Sequence, residues 1–283
     1  MAINATAPHR CALMVLVAGM PRSGSTWQFH MIKRALELMG RRASHSGYWD
    51  LAKHKRMNET AAAAYYARER ALWSRLAEPA VVVYKSHEFV PEATRFCRHT
   101  AVLTTHRCFE AALRSQIGRG WITAEAAADP GYLVRVMRRD LVEFEQWKRL
   151  GALDFDYDEA ARYPEESMAA IMHFLALHLR AAGDAHSVLP ALRRRPVHAA
   201  KYVQTSKSGR STGGLAHLTP KIMQAMRDAR EMMSKDDSLA RLGVRWCGTD
   251  SLQLPAAGLR SGRLPTPRQP ARLTPGRLVR WAV

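Results

Sequence analysis

Short apolar runs alternating with amphipathic stretches predict an α/β fold, a central parallel sheet flanked by helices as a three-layer sandwich. Residues 12–18 are apolar enough for a strand buried on both faces, and a Gly/Ser/Pro turn carries them into a helical stretch. The chain has 283 residues, 47% of them hydrophobic, which is enough for a sizeable core.

The elements follow in order. Residues 1–10 read as a flexible extension. Strand 12–18 is followed by a loop at 20–25 and a helix at 26–39, which Gly40 ends as a C-cap. The polar, basic stretch 41–57, with Tyr48 and Trp49, reads as a loop. An Ala-rich helix over 59–76 stops before Pro79. The string AVVVY at 80–84 is a buried strand, 91–98 a short helix, and TAVLTT at 100–105 a third strand. Helices follow at 109–119 and 130–150. The second aligns Leu133, Met137, Leu141, Phe144 and Trp147 on one face. Residues 153–157 form a short strand. Helix 164–182 opens with Pro-Glu-Glu, which suits a helix start by φ and by dipole. No internal repeat is visible. The chain thus divides into an extension (1–10), an α/β domain (11–250) and a tail (251–283).

The formal net charge is +18 and the pI about 10.4. An anionic partner is implied: a nucleic acid, an acidic membrane surface or a phosphorylated small molecule. The tail carries six Arg, five Pro and no acidic residue, a composition that cannot build a core and predicts disorder. About twelve positive charges remain on the domain. The longest apolar run, 11–20, is about half a membrane span, so no integral membrane segment is expected. It also has the look of a signal peptide's short apolar core, but the glycine-rich chemistry that follows favours a strand. Cys11, Cys97, Cys108 and Cys247 show no metal-finger or disulfide spacing. They read as small buried hydrophobes in a reduced, cytoplasmic compartment.

The string Gly19-Met20-Pro21-Arg22-Ser23-Gly24-Ser25-Thr26 has the spacing of a Walker A loop, GxxxxGK[ST]. Its glycines let backbone N–H groups wrap an anion, and the following helix N-terminus adds partial positive charge. Ser25 stands at the lysine position that touches the β- and γ-phosphates of a nucleoside triphosphate, which argues against ATP chemistry.

With Trp27 included, the string resembles the PKSGTTW loop of the P-loop sulfotransferases that use 3′-phosphoadenosine 5′-phosphosulfate (PAPS). The resemblance extends over about residues 12–220 and is weakest at 41–79. It implies that Arg22, Ser23, Gly24, Ser25 and Thr26 hold the 5′-phosphosulfate and that Trp27 stacks on adenine. It makes Arg107 and Ser115, an Arg at a strand end and a Ser eight residues on, the 3′-phosphate pair. An arginine fork and a helical hydroxyl suit that dianion, with Arg114 or Lys207 as a second cation. Lys85-Ser86-His87 resembles the family's Lys-Thr-His. It implies His87 as general base and Lys85 as stabiliser of charge on the sulfuryl group, with Arg22 sharing that role; Glu88 is a rival base. Tyr157 falls where the family contacts the adenine base. Lys207, Gly209 and Arg210 match the family's 3′-phosphate loop loosely.

The expected activity is in-line sulfuryl transfer from PAPS to a hydroxyl, or an amine, of a small-molecule, lipid or glycan acceptor. No metal is called for, and positioning and charge stabilisation do the catalysis. Tyr48, Trp49 and His54 are candidates for the acceptor site. Two alternatives stay open: a P-loop kinase or other nucleotide-dependent transferase, and a basic nucleic-acid-binding protein, although no nucleic-acid motif is present.

Overall fold

In a computed structural model, the described residues are 11–48, 80–89, 97–183 and 218–240, with isolated positions 64, 67, 68, 71 and 94. The expected extension 1–10, the tail 251–283, and most of the helices expected at 59–76 and 91–98 lie outside them.

Among the described residues, five strands form one sheet: β1 (Cys11–Gly19), β2 (His45–Tyr48), β3 (Ala80–Ser86), β4 (His99–His106) and β5 (Leu153–Asp156). Every pairing is parallel and the order is β2-β3-β1-β4-β5. β1 is buried along its whole length, which is why its sequence is uniformly apolar. β2 corrects the loop expected over 41–57. Its four residues, His-Ser-Gly-Tyr, carry no apolar pattern, and the ladder with β3 defines it.

The helices are α1 (Ser25–Leu38), α2 (Phe109–Ile117), α3 (Ala124–Ala127), α4 (Pro130–Lys148), α5 (Tyr157–Arg162), α6 (Pro164–Ala181), α7 (Pro220–Ser234) and α8 (Asp237–Ala240). Side chains alternate across a strand, so successive residues serve opposite faces. Leu13, Val15, Val17, Val81, Val83 and Leu103 pack with Met31, Ile32 and Leu36 of α1 and Ile171 and Leu175 of α6. Met14, Leu16, Val82, Tyr84 and Val102 face the other way and meet Trp147 of α4. Helices therefore cover both faces. Behind α4, a further cluster joins α2, α3, α4 and α7 through Phe109, Leu113, Met137, Leu141, Met223 and Met226.

Local chemistry sets the helix starts. Asp129, with Pro130 behind it, caps α4 by accepting from Gly131 N–H, and Thr219 with Pro220 does the same for α7 through Ile222 N–H. Among the described residues, no helix is long and apolar enough to cross a membrane.

The cysteines depart from expectation. Cys11, at the start of β1, is disulfide-bonded to Cys97, two residues before β4. Cys108 is also disulfide-bonded, and no free thiol occurs among the described residues. β1 and β4 are neighbours in the sheet, so their entry points lie side by side, and Arg98 N–H donates to the Cys11 carbonyl. Cys11, Cys97 and Cys108 are therefore paired, not the reduced thiols expected, and they give no reason to expect a reducing compartment.

Candidate functional site

All five strands are parallel, so their C-terminal ends share one edge. The order reverses at β1, and this is the place where open α/β sheets bind ligands. Gly19 is level with Thr105, Ala18 with Ser86, and Val17 with Lys85. The loop after β1, the turn after β3 and the exit of β4 therefore meet.

Gly19 has no room for a side chain. A Cβ there would stand 2.5 Å from Thr105 Oγ1 and 2.8 Å from the Thr105 carbonyl oxygen. Met20 N–H donates to that carbonyl, and Ser23 N–H returns to the Met20 carbonyl. Ser23 is fully buried, with Oγ 2.7 Å from both the Met20 and Thr105 carbonyls. Its side chain thus ties the loop to β4 and faces inward. Arg22 adopts φ 64°, and Gly24 follows at φ 92°. Gly24 is the N-cap of α1, so no side chain caps the helix, and no acidic residue lies in its first turn. The first N–H groups of a helix have no partner within it. Here the N-cap residue offers them no side-chain acceptor, and they carry partial positive charge at the sheet edge where the loops meet.

Cations gather around this helix end. The Arg22 guanidinium donates from Nε to Ser115 Oγ at 2.9 Å and lies 5.5 Å above the Trp121 ring. Its pKa is lowered by burial first, then by the nearby Arg119, and by Arg107. Alternation puts Lys85 on the α1 side of the sheet, past Val81 and Val83. Its ammonium donates to Thr26 Oγ1 at 2.7 Å. Burial, with Arg22 adding to it, pushes Lys85 down to about 8. Arg107 leaves β4 and holds Asp158 through Nε and Nη2, each 3.0 Å from Oδ1.

His87 closes the turn after β3. Ser86 shapes that turn by donating to the Glu88 carbonyl, which also accepts from Trp147 Nε1. His87 Nδ1 lies 2.8 Å from the Gly19 carbonyl oxygen. A carbonyl only accepts, so the proton sits on Nδ1 and the lone pair on Nε2. Burial, then Lys85 and Arg22, push His87 down to about 4, against the Gly19 hydrogen bond that raises it. It is a neutral imidazole at physiological pH. The rival base Glu88 has a buried Oε2 and interacts electrostatically with Arg139 on α4.

Tyr157 opens α5, which Asp156 caps by accepting from Asp158 and Glu159 N–H. Its ring lies against Gly24, 5.1 Å from the Arg107 guanidinium carbon and 6.0 Å, edge-on, from Trp27. Trp27 is core, 3% exposed. Ser25 is buried, and Thr26 is exposed beside Lys85.

The structure thus brings Arg22, Gly24, Thr26, Lys85, His87, Arg107, Ser115 and Tyr157 to one edge. It pairs Ser115 with Arg22, and Arg107 with Asp158. Arg114 turns elsewhere: its charge is coupled to Glu110, which is fully buried and ion-paired with Arg230 of α7. Tyr48 is placed by its backbone, level with Lys85. Trp49, His54, Lys207, Gly209 and Arg210 lie outside the described residues. Sequence reasoning missed Asp158, Arg119 and Trp121. A lone Trp after a Gly-Arg-Gly turn carries no signal of its own until the fold sets it beside Arg22. No protein-family model matches the chain, and no curated protein sequence matches it significantly.

Proposed function

We propose that the chain is a sulfotransferase of the P-loop kind, which moves a sulfuryl group from PAPS to a hydroxyl acceptor. One observation carries the reading. Arg22, Lys85 and Arg107 converge on an uncapped helix N-terminus, and Arg22 and Lys85 each hold a lowered pKa from burial and from other cations. Such a cluster is relieved by an anion, and its donors are those that suit phosphate and sulfate. Arg22, Thr26, Lys85 and the N–H groups that open α1 would hold the 5′-phosphosulfate. Arg107 and Ser115 would hold the 3′-phosphate, and Tyr157, on Gly24, would meet the base.

Bound there, PAPS supplies the sulfuryl group and the adenosine 3′,5′-bisphosphate leaving group. The protein's part is positioning and electrostatics. Lys85 and Arg22 face the charge that develops on transfer. His87, its tautomer set by Gly19, accepts the hydroxyl proton at Nε2.

Titration calorimetry with adenosine 3′,5′-bisphosphate tests this. Binding is expected, weakened at least about tenfold by Arg22→Ala and by Arg107→Ala, since each removes a charged hydrogen-bonding group. An absence of binding to the intact chain would overturn the proposal.

A further inference from the structure

Trp121 is 54% exposed, the most open large apolar side chain among the described residues. The chain around it is nonetheless fixed. α2 ends at Ile117, Gly120 turns at φ 69°, Gly120 N–H donates to the Ile117 carbonyl, and Trp121 N–H donates to the Gln116 carbonyl at 3.0 Å. The next residue, Ile122, is buried, and Thr123 caps α3. A fixed turn thus holds a side chain that stays more than half exposed. Among the described residues it meets the site: Arg22 lies over its ring, and the His87 ring is 6.4 Å away at 74°.

We infer that Trp121 is the acceptor platform and that the acceptor is a phenol, its ring against the indole and its hydroxyl toward Nε2 of His87. The inference rests on the transferase reading above. An indole held on a rigid turn takes a flat aromatic ring at little conformational cost. The cations that act on His87, Lys85 and Arg22, favour an oxygen that gains negative charge. The base agrees with this choice. His87 is held at about 4, a weak base. A hydroxyl of the tyrosine kind, near 10, yields its proton to such a base more readily than one close to water's roughly 15.7. The step balances. The phenolic oxygen passes its proton to Nε2 and bonds to sulfur. The bond from sulfur to the phosphate oxygen breaks, and its electron pair leaves with adenosine 3′,5′-bisphosphate. His87 then returns the proton to water.

The test uses the intact chain in two stages. Adenosine 3′,5′-bisphosphate is titrated first, and failure to bind removes the transferase reading itself. 2-Naphthol is then titrated into the nucleotide-saturated protein, with cyclohexylmethanol as the non-aromatic control. Binding of 2-naphthol is expected, weaker by about tenfold in Trp121→Ala and within about threefold of wild type in Trp121→Phe. Circular dichroism and nucleotide binding confirm that both variants fold. With the nucleotide bound, three results overturn the phenol inference and leave the donor reading standing: no 2-naphthol binding, equal binding in Trp121→Ala, or tighter binding of cyclohexylmethanol.

Discussion

The ring of Tyr157 occupies the space that a side chain at Gly24 would need. A Cβ on Gly24 would fall 1.9 Å from Tyr157 Cδ2 and 2.5 Å from Cγ. The ring is itself flanked by Arg107 and Trp27. The loop after β1 and the start of α5 are therefore fitted to each other through one missing methyl group.

Gly24→Ala is expected to destabilise the fold by about 1–3 kcal/mol, from the left-handed backbone and from displacement of the ring. Tyr157→Ala removes the obstruction but not the φ strain. The double variant should then recover part of the loss. Thermal or urea unfolding of the four chains closes the cycle. Strict additivity would show that the two residues do not interact.

Lys85 gives a proton-linked signature. At pH 8 about half of the Lys85 side chains are neutral, because burial and Arg22 hold the group at about 8. An anion beside it favours the charged form and raises the pKa. Nucleotide binding at pH 8 should take up about half a proton, and Lys85→Met should abolish that uptake. Calorimetry in two buffers of different ionisation enthalpy measures it. Unchanged uptake in Lys85→Met would assign the proton elsewhere.

These relationships were unevenly legible in the sequence. β1, β3 and β4 were readable because strands buried on both faces are continuously apolar. β2 was not, since His45–Tyr48 is a strand only by virtue of the β3 ladder beside it. Arg22, Lys85, His87 and Arg107 share an edge because each follows, or ends, a parallel strand, and motif spacing conveys that. The inward turn of Ser23 depends on the Thr105 carbonyl, 82 residues away, which no local pattern announces. The Cys11–Cys97 pairing likewise requires knowing that β1 and β4 are neighbours.

That disulfide spans 86 residues and joins the strand ends opposite the site. Replacing both cysteines by alanine should cost about 2–4 kcal/mol in urea unfolding and leave nucleotide affinity unchanged. Alkylation of the unreduced, denatured chain, read by mass spectrometry, checks the pairing directly. Full labelling of Cys11 or Cys97 would refute it.

His87 links the site to acid stability. Its folded pKa is about 4 against an ordinary 6.5. Between these values the unfolded chain binds a proton that the folded chain does not, so stability falls as pH drops from 6.5 toward 4. Below about 4 both states are protonated, and this residue adds no further slope. His87→Asn keeps a donor for the Gly19 carbonyl and removes the titration. Its stability should therefore decline less than that of wild type between pH 7 and 4.5. On the proposed reading the same variant should lower turnover strongly while keeping nucleotide affinity, because Nε2 would accept the proton and hold no phosphate. Urea unfolding at the two pH values, together with kcat and nucleotide Kd, separates the roles. Parallel acid limbs would place the titration on another group, and unchanged kcat would remove His87 as the base.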